Sequence, residues 1–387
     1  MSDLKTLIIS RMENGANILN ELAVSKRIGK DITVDASAVE KKINQYHPSI
    51  MKLIVSETEN IGNYAKKIRF VSETGFLPIF EAGQYINLFV QIEGVRTSRP
   101  YSLSSSPKER SYFEIIVARQ EKGFVSDYLI DNIKAGDRFE ANGPAGVFHF
   151  NPVFHHKRQV FLAGGSGITP FLSMSREILH AGLDREVYLI YGTRNEELAI
   201  NHEELTRLSA EFKNFHYSLV VSNDPECKKY RTGFIDAECI KALVPDYKNA
   251  TYYICGPEIM NQFCSKTLTE IGILPKHIRR EMFGARQDIQ NEPGWPENLS
   301  GKETFTIKVG DKKIPALSGE SVLTALERSG IRMNVCCRSG ECSLCRIRLV
   351  SGTVFTARGV LSRYADELFN YIHSCKVYPI SDLEVIL

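Results

Sequence analysis

The sequence predicts a multidomain fold. A short helical extension precedes an antiparallel β-barrel, then an α/β domain with a parallel sheet, then a small α+β domain. Three observations predict it. Residues 49–155 carry short β-branched and aromatic runs separated by turns. Residues 156–285 alternate apolar strands with helical stretches. Near the C-terminus stand four cysteines, Cys337, Cys342, Cys345 and Cys375, in a spacing that a buried structural thiol does not require.

The extension, residues 1–48, reads as two short helices. Leu4, Leu7, Ile8 and Met12 fall at helical spacing, and Ser37 with Glu40 forms a capping box ahead of Val39 and Ile43. The barrel strands are expected over Ile50–Val55, Ala65–Val71, Tyr85–Ile92, Phe113–Ala118 and Arg138–Ala141. The parallel strands are expected over Val160–Ala163, Val187–Tyr191, Tyr217–Val221 and Tyr252–Cys255. Residues 286–301 are polar with two prolines and read as a linker. In the last domain, residues 302–387, Thr304–Val309 alternates like a strand, Val322–Ser329 reads as a helix and Cys345–Leu349 as a second strand.

Composition excludes several classes. With 387 residues, 43% hydrophobic and 24% charged, the chain has the make-up of a globular protein of two or three domains. A net charge of +2 gives no bulk attraction to nucleic acid or to a membrane surface. No apolar run approaches spanning length, and the N-terminus lacks the apolar core of a secretory signal. Five of the nine cysteines (Cys227, Cys239, Cys255, Cys264 and Cys336) form no disulfide framework, so the expected compartment is the cytoplasm.

The cysteines carry the strongest chemical signal. Cys337-Arg338-Ser339-Gly340-Glu341-Cys342-Ser343-Leu344-Cys345 is C-x4-C-x2-C, and Cys375 follows at a distance. That is the ligand spacing of a plant-type [2Fe–2S] cluster. A tight loop supplies three thiolates, Ser339-Gly340 lets the backbone turn, and the fourth closes the site from another segment. Zinc sites usually pair two C-x2-C knuckles, and only one is present. Cys336 is expected to be a neighbour rather than a ligand. Residues 302–387 thus resemble a plant-type ferredoxin domain, which implies a β-grasp fold.

Two further motifs precede it. In Arg99-Pro100-Tyr101-Ser102 an arginine offers charge to a phosphate, a tyrosine offers a ring face, and a serine offers a hydroxyl. Gly123-Phe124-Val125-Ser126 opens a helix whose free amides suit a pyrophosphate. Singly these are also a plain strand end and a plain helix cap. Val160 to Pro170 runs strand, glycine turn (Gly164, Gly165, Ser166, Gly167), then Thr169-Pro170 at a helix start. It lacks the third glycine of the general dinucleotide fingerprint.

In this order the motifs resemble the ferredoxin–NADP reductase superfamily over residues 49–387. The resemblance implies that Arg99, Tyr101, Ser102, Gly123, Phe124, Val125 and Ser126 bind a flavin, FAD before FMN. It implies that Gly164, Gly165, Ser166, Gly167, Thr169 and the run Cys255, Gly256, Pro257 bind NAD(P)H. Ser102, Cys255 and Glu281 match positions lining the hydride path, and Phe283 matches an aromatic beside the flavin. The choice between NADH and NADPH stays open. No acid closes the strand Tyr188–Tyr191, while Arg194, Ser222, Lys228, Lys229, Tyr230 and Arg231 lie nearby.

The domain order resembles the reductase components of multicomponent oxygenases. A hydride carries two electrons and the cluster takes one, so a flavin between them splits the pair. The expected activity is electron transfer from NAD(P)H through flavin and cluster to a partner redox enzyme, an oxygenase or an anaerobic acceptor. A redox-sensing regulator and a self-contained reductase of a small molecule are the alternatives. Arg328, Arg332, Arg338, Arg346, Arg348, Arg358 and Arg363 face only Glu341 in their own stretch. A basic rim of that kind predicts an acidic docking face on the partner.

Overall fold

The computed structural model describes residues 2–28, 32–46, 48–120, 123–223, 227–282 and 288–387. Two compact units divide the chain, Met1–Ser49 and Ile50–Leu387. The first holds α1 (Ser2–Ser10), α2 (Gly15–Ile28) and α3 (Ile32–Tyr46). The expected two helices are therefore three among the described residues. The Ser37 capping box does not open a helix, because α3 already runs through that position.

The second unit begins with the barrel: β1 (Met51–Ile61), β2 (Ala65–Ser72), β3 (Tyr85–Ile92), β4 (Val95–Ser102), β5 (Phe113–Ala118), α4 (Phe124–Asn132) and β6 (Arg138–Ala145). The sheet order is β4-β3-β6-β1-β2-β5, antiparallel throughout. Just past β4, Leu103 bridges Ile115 and the Ser104 amide donates to the Glu114 carbonyl at 2.7 Å, which joins the two edges. The strands expected from sequence do not include β4, which Pro100 interrupts. Proline lacks the N–H a central ladder needs, and β4 lies at the end of the strand order, where that loss is tolerated. Leu53, Phe70, Ile86 and Leu88 fill the interior, and Val125 and Leu129 of α4 pack into it.

The next domain is a parallel sheet of β7 (Arg158–Gly164), β8 (Glu186–Thr193), β9 (Phe215–Val221), β10 (Arg231–Thr232), β11 (Thr251–Cys255) and β12 (Ile278–Glu281), in order β10-β9-β8-β7-β11-β12. Helices α5 (Thr169–His180), α6 (His202–Glu211), α7 (Ala237–Leu243) and α8 (Glu258–Glu270) cover it. Phe161, Leu189 and Leu219 meet α5 and α6 on one face, while Leu162, Ile190 and Val220 meet α7 and α8 on the other. Burial on both faces is why the strands read as unbroken apolar runs. The polar β12, Ile-Arg-Arg-Glu, carries no such signal.

The last domain contains β13 (Thr304–Val309), β14 (Lys312–Leu317), α9 (Val322–Arg328), β15 (Arg346–Ser351), β16 (Val354–Thr356), α10 (Tyr364–Leu368), β17 (Tyr371–His373), β18 (Val377–Pro379) and β19 (Leu383–Ile386). Its main sheet runs β14-β13-β19-β15-β17, and β16 pairs β18 apart from it. The Ser321 side chain accepts from the Thr324 amide and so starts α9. Residues 288–301 are not a free tether. Ile289 and Trp295 are buried with Ala357 and Tyr378, and the Trp295 indole lies 5.1 Å from the Phe355 ring. Among the described residues no helix is long and apolar enough to cross a membrane.

Candidate functional site

Ser102 ends β4 directly across from Tyr85, which begins β3, and Tyr85 pairs in turn with Ala145 at the end of β6. These three termini form one end of the barrel. Arg99 lies three residues back on β4, its Nη1 donating to Thr97 Oγ1 at 3.0 Å and to the Ser98 carbonyl at 2.7 Å. Burial, and then the neighbouring Arg338, press its guanidinium down to about 10. Burial drives the Tyr101 phenol up. Gly123 precedes α4 without a side-chain cap, leaving the first-turn amides open to an anion. A Cβ at Gly123 would stand 2.0 Å from Ser126 Oγ, so glycine is what lets that hydroxyl tuck under the turn. Val125 anchors the turn in the core and Phe124 stays half exposed. The uncapped start of α4 has the free amides that an anion such as a pyrophosphate requires.

In the α/β domain, Gly164 ends β7, and Gly165, Ser166 and Gly167 make a 3-10 turn that runs into α5. A Cβ at Gly167 would fall 2.2 Å from the Cys255 carbonyl oxygen, and one at Gly164 would fall 2.3 Å from Met260 Sδ. The glycines therefore permit the turn to lie against Cys255-Gly256-Pro257. No side chain caps α5, and Thr169 Oγ1 donates to the Ser166 carbonyl at 2.8 Å, fixing the turn. Cys255 is in register with Ala163 of β7 and with Glu281 of β12. Burial pushes the Cys255 thiol well up, and Glu281 adds to it.

Glu281 reaches across to the barrel: Ser102 Oγ donates to its Oε2 at 3.3 Å. Burial holds this carboxyl well above its ordinary value, against the pull of Ser102. Burial therefore favours its neutral form. Phe283 lies outside the described residues.

The four sequence-predicted ligands converge. Cys345 and Cys375 have sulfurs 3.2 Å apart. Cys337 and Cys342 form the other pair; the Cys342 thiol, with the Ser339 and Cys342 amides at 3.4 Å, draws the Cys337 thiol below its ordinary value. No group of three or more His, Cys, Asp or Glu among the described residues is gathered tightly enough for a single metal ion. Two sulfur pairs match instead the needs of two irons, one pair each. Gly340 has φ 81° and its carbonyl accepts from His373 Nδ1 at 2.9 Å, so the loop turns at the glycine the sequence offers for it. Cys336 is buried with Tyr85 and Cys337, and its sulfur accepts from the Tyr85 hydroxyl.

Sequence reasoning missed the residues that seat this loop on the barrel. Asn87 and Asn142 donate their side-chain amides to the Val335 carbonyl at 2.9 and 3.0 Å. Thr97 Oγ1 donates to Glu327 Oε2 at 2.9 Å. Arg338 pairs with Glu327 and donates to Thr97 and Ser98, each at 3.2 Å. An asparagine amid the apolar β3 run was the available signal, because a buried polar side chain needs a partner.

The expected basic rim is corrected here. Arg338 is buried in that interface, and Arg328, Arg346 and Arg358 pair with Glu320, Asp366 and Glu292. The acids lie outside the stretch read in sequence and reach it through the fold. Arg332, Arg348 and Arg363 are exposed and have no ion pair among the described residues. A separate cavity of about 690 Å³ opens at the outer edge of the parallel sheet, lined by His202, Tyr217, Lys229, Tyr230 and Arg231, away from the Ser102–Glu281 contact.

Comparison with known proteins matches three family models in order: an oxidoreductase FAD-binding domain over residues 52–150, an oxidoreductase NAD-binding domain over 161–266, and a 2Fe-2S iron-sulfur cluster binding domain over 305–379. NADH-cytochrome b5 reductase 1 of Dictyostelium discoideum is 36% identical over 204 residues, 52% of this chain and 70% of the relative. The chain belongs to the ferredoxin–NADP reductase superfamily. As a member that also carries a ferredoxin domain, it is similar along most of its length to the glycine betaine monooxygenase reductase subunit of Chromohalobacter salexigens, 25% identical over 346 residues, 86% of this chain and 93% of that one. It is also similar to the solved phthalate dioxygenase reductase, described as a modular structure for electron transfer from pyridine nucleotides to [2Fe–2S]. That match has a TM-score of 0.64 and 26% identity, covering 87% of this chain and 97% of the other. This superfamily member is an NAD(P)H-dependent oxidoreductase that uses FAD and a [2Fe–2S] cluster.

Proposed function

We propose that the chain is the reductase of a two-component system and delivers single electrons to a separate terminal oxygenase in the cytoplasm. One observation carries the reading: both neighbouring domains touch the same barrel end. Glu281 of the nucleotide domain meets Ser102, and the loop holding Cys337 packs on Tyr85, the residue paired with Ser102. When bound at this end of the barrel, FAD would supply the chemistry that turns a two-electron hydride into single electrons.

The chain's own residues do the rest. The Gly164–Gly167 turn and the start of α5 hold the nucleotide pyrophosphate, and Thr169 and Cys255 set the nicotinamide over the barrel end. Arg99, Tyr101 and the Gly123–Ser126 turn hold the FAD. Ser102 presents a hydroxyl toward the hydride path, with the buried carboxyl of Glu281 beside it. Cys337, Cys342, Cys345 and Cys375 hold the cluster. The working division follows residues 1–48, 49–155, 156–285, 286–301 and 302–387, with the fourth acting as a strap. The similar proteins are named as reductases of a monooxygenase and of a dioxygenase, which supports an oxygenase as the acceptor.

For docking, Arg332, Arg348 and Arg363 remain available to acids on the partner. Beside them Leu344, Leu361, Tyr364, Leu368 and Phe369 are exposed, and the Leu361 amide donates to the Gly340 carbonyl of the cluster loop. The partner face is then apolar at its centre and acidic at its edge, and its reduction slows with ionic strength. Rapid mixing with NADH tests the reading. Flavin absorbance falls first, cluster absorbance second, and Ser102→Ala slows the first phase by about tenfold or more. Simultaneous loss of both signals in the wild type, or a Ser102→Ala first phase at the wild-type rate, refutes the order or the role.

A further inference from the structure

Sequence reading passed over a carboxylate near the C-terminal end of the parallel sheet, Glu196. In an open parallel sheet the dinucleotide lies across the C-terminal ends of the strands. Its pyrophosphate belongs at the Gly164–Gly167 turn after β7. The hydride path lies on the β11 and β12 side, where Cys255 and Glu281 stand and Ser102 approaches. The adenosine half must therefore run the other way, over the ends of β8 and β9.

Glu196 stands there, three residues past β8. The Thr193 hydroxyl donates to the Asn195 carbonyl at 2.8 Å, and the Asn195 side chain accepts from the Leu198 amide at 3.2 Å, which fixes this loop. The Ser222 and Asn223 amides, just past β9, donate to the Thr193 and Arg194 carbonyls at 2.9 Å each and zip the two strand ends together. Lys229 Nζ and the Tyr230 hydroxyl both donate to Glu196 Oε1 at 2.6 Å. Because the Tyr230 proton is spent on Glu196, His202 Nε2 donates to Tyr230 at 2.9 Å, and its Nδ1 accepts from the Tyr217 hydroxyl at 2.9 Å. The carboxylate is thus held from one oxygen. Its Oε2 has no hydrogen bond or ion pair among the described residues.

We propose that Glu196 selects NADH over NADPH: Oε2 accepts the adenosine ribose 2′-hydroxyl, while the same charge repels a 2′-phosphate and occupies Lys229, a base that would otherwise bind one. This deepens the assignment of the α/β domain to the nicotinamide nucleotide and rests on it. Arg231 is partly engaged as well, 4.0 Å from Glu238.

The test compares the holoprotein with Glu196→Gln and with Glu196→Gln combined with Lys229→Gln. Readouts are kcat/KM for NADH and NADPH with ferricyanide as acceptor, and equilibrium binding of 5′-AMP and 2′,5′-ADP by calorimetry. The wild type is expected to favour NADH and 5′-AMP. Glu196→Gln lowers the NADH-to-NADPH ratio about tenfold and tightens 2′,5′-ADP, and the second substitution removes that gain. A wild type that favours NADPH, or a Glu196→Gln protein whose two affinities move together, overturns the assignment. If the wild-type flavin is bleached by neither nucleotide, the nucleotide reading itself falls, an outcome separate from a wrong specificity residue.

Discussion

Ser102 and Glu281 come from strands 179 positions apart and meet through one hydrogen bond of 3.3 Å. The carboxyl is buried, and burial favours its neutral form. Its folded pKa is raised above 4.5, so the stability it lends the domain contact is complete below that value. It is lost as pH rises through the raised folded value, because ionisation then places a charge in an apolar junction. Hydride transfer is accordingly expected to decline on the alkaline side. Glu281→Gln, which cannot ionise, is expected to flatten that limb, as followed by the pH dependence of flavin bleaching by NADH. An unchanged alkaline limb in Glu281→Gln would assign the decline to another group.

The segment 288–301 shows how an element of polar composition can still be structural. Trp295 is buried there, donating Nε1–H to the Leu299 carbonyl at 2.7 Å and meeting Phe355 edge-on. Truncating a buried tryptophan costs about 3–5 kcal/mol when the site cannot collapse. Trp295→Ala is expected to lower the melting transition of the ferredoxin domain, read from cluster absorbance, and to leave the flavin transition in place. Parallel movement of both transitions would show that the strap supports the barrel as well. The same lesson applies to β4, where the edge position makes room for Pro100 inside the motif that presents Arg99, Tyr101 and Ser102.

Across the three domains, the contact that matters most joins barrel and ferredoxin. Arg338 and Glu327 are nearly excluded from water, at 6% and 8% side-chain exposure, and Thr97 bonds to both. Removing one partner of a buried ion pair strands the other, at a cost of about 3–5 kcal/mol. Arg338→Ala is expected to loosen the seat of the cluster loop. Flavin reduction by NADH should then persist, while passage of electrons from flavin to cluster slows by about tenfold or more, since small misplacements in a transfer path are amplified. Equal slowing of both phases would mean the pair supports the barrel rather than the junction.

Much of the chemistry was legible along the chain. Cys337, Cys342 and Cys345, the Arg-Pro-Tyr-Ser run and the glycine turn are local motifs: each needs neighbours only a few residues apart, so spacing makes them candidates, and Cys375 joins them from 30 positions away. Alternating and unbroken apolar runs revealed most barrel and parallel strands for the same reason, since burial on one face or two leaves a short-range pattern. The seat of the cluster loop left almost no such trace. Arg338 reaches Thr97 over 241 positions, and Val335 meets Asn87 over 248. Which charges stay free followed the same rule. The arginines near the cluster looked unopposed until folding brought Glu320, Glu327, Asp366 and Glu292 to them, because opposite charges pair through space without regard to their order in the chain.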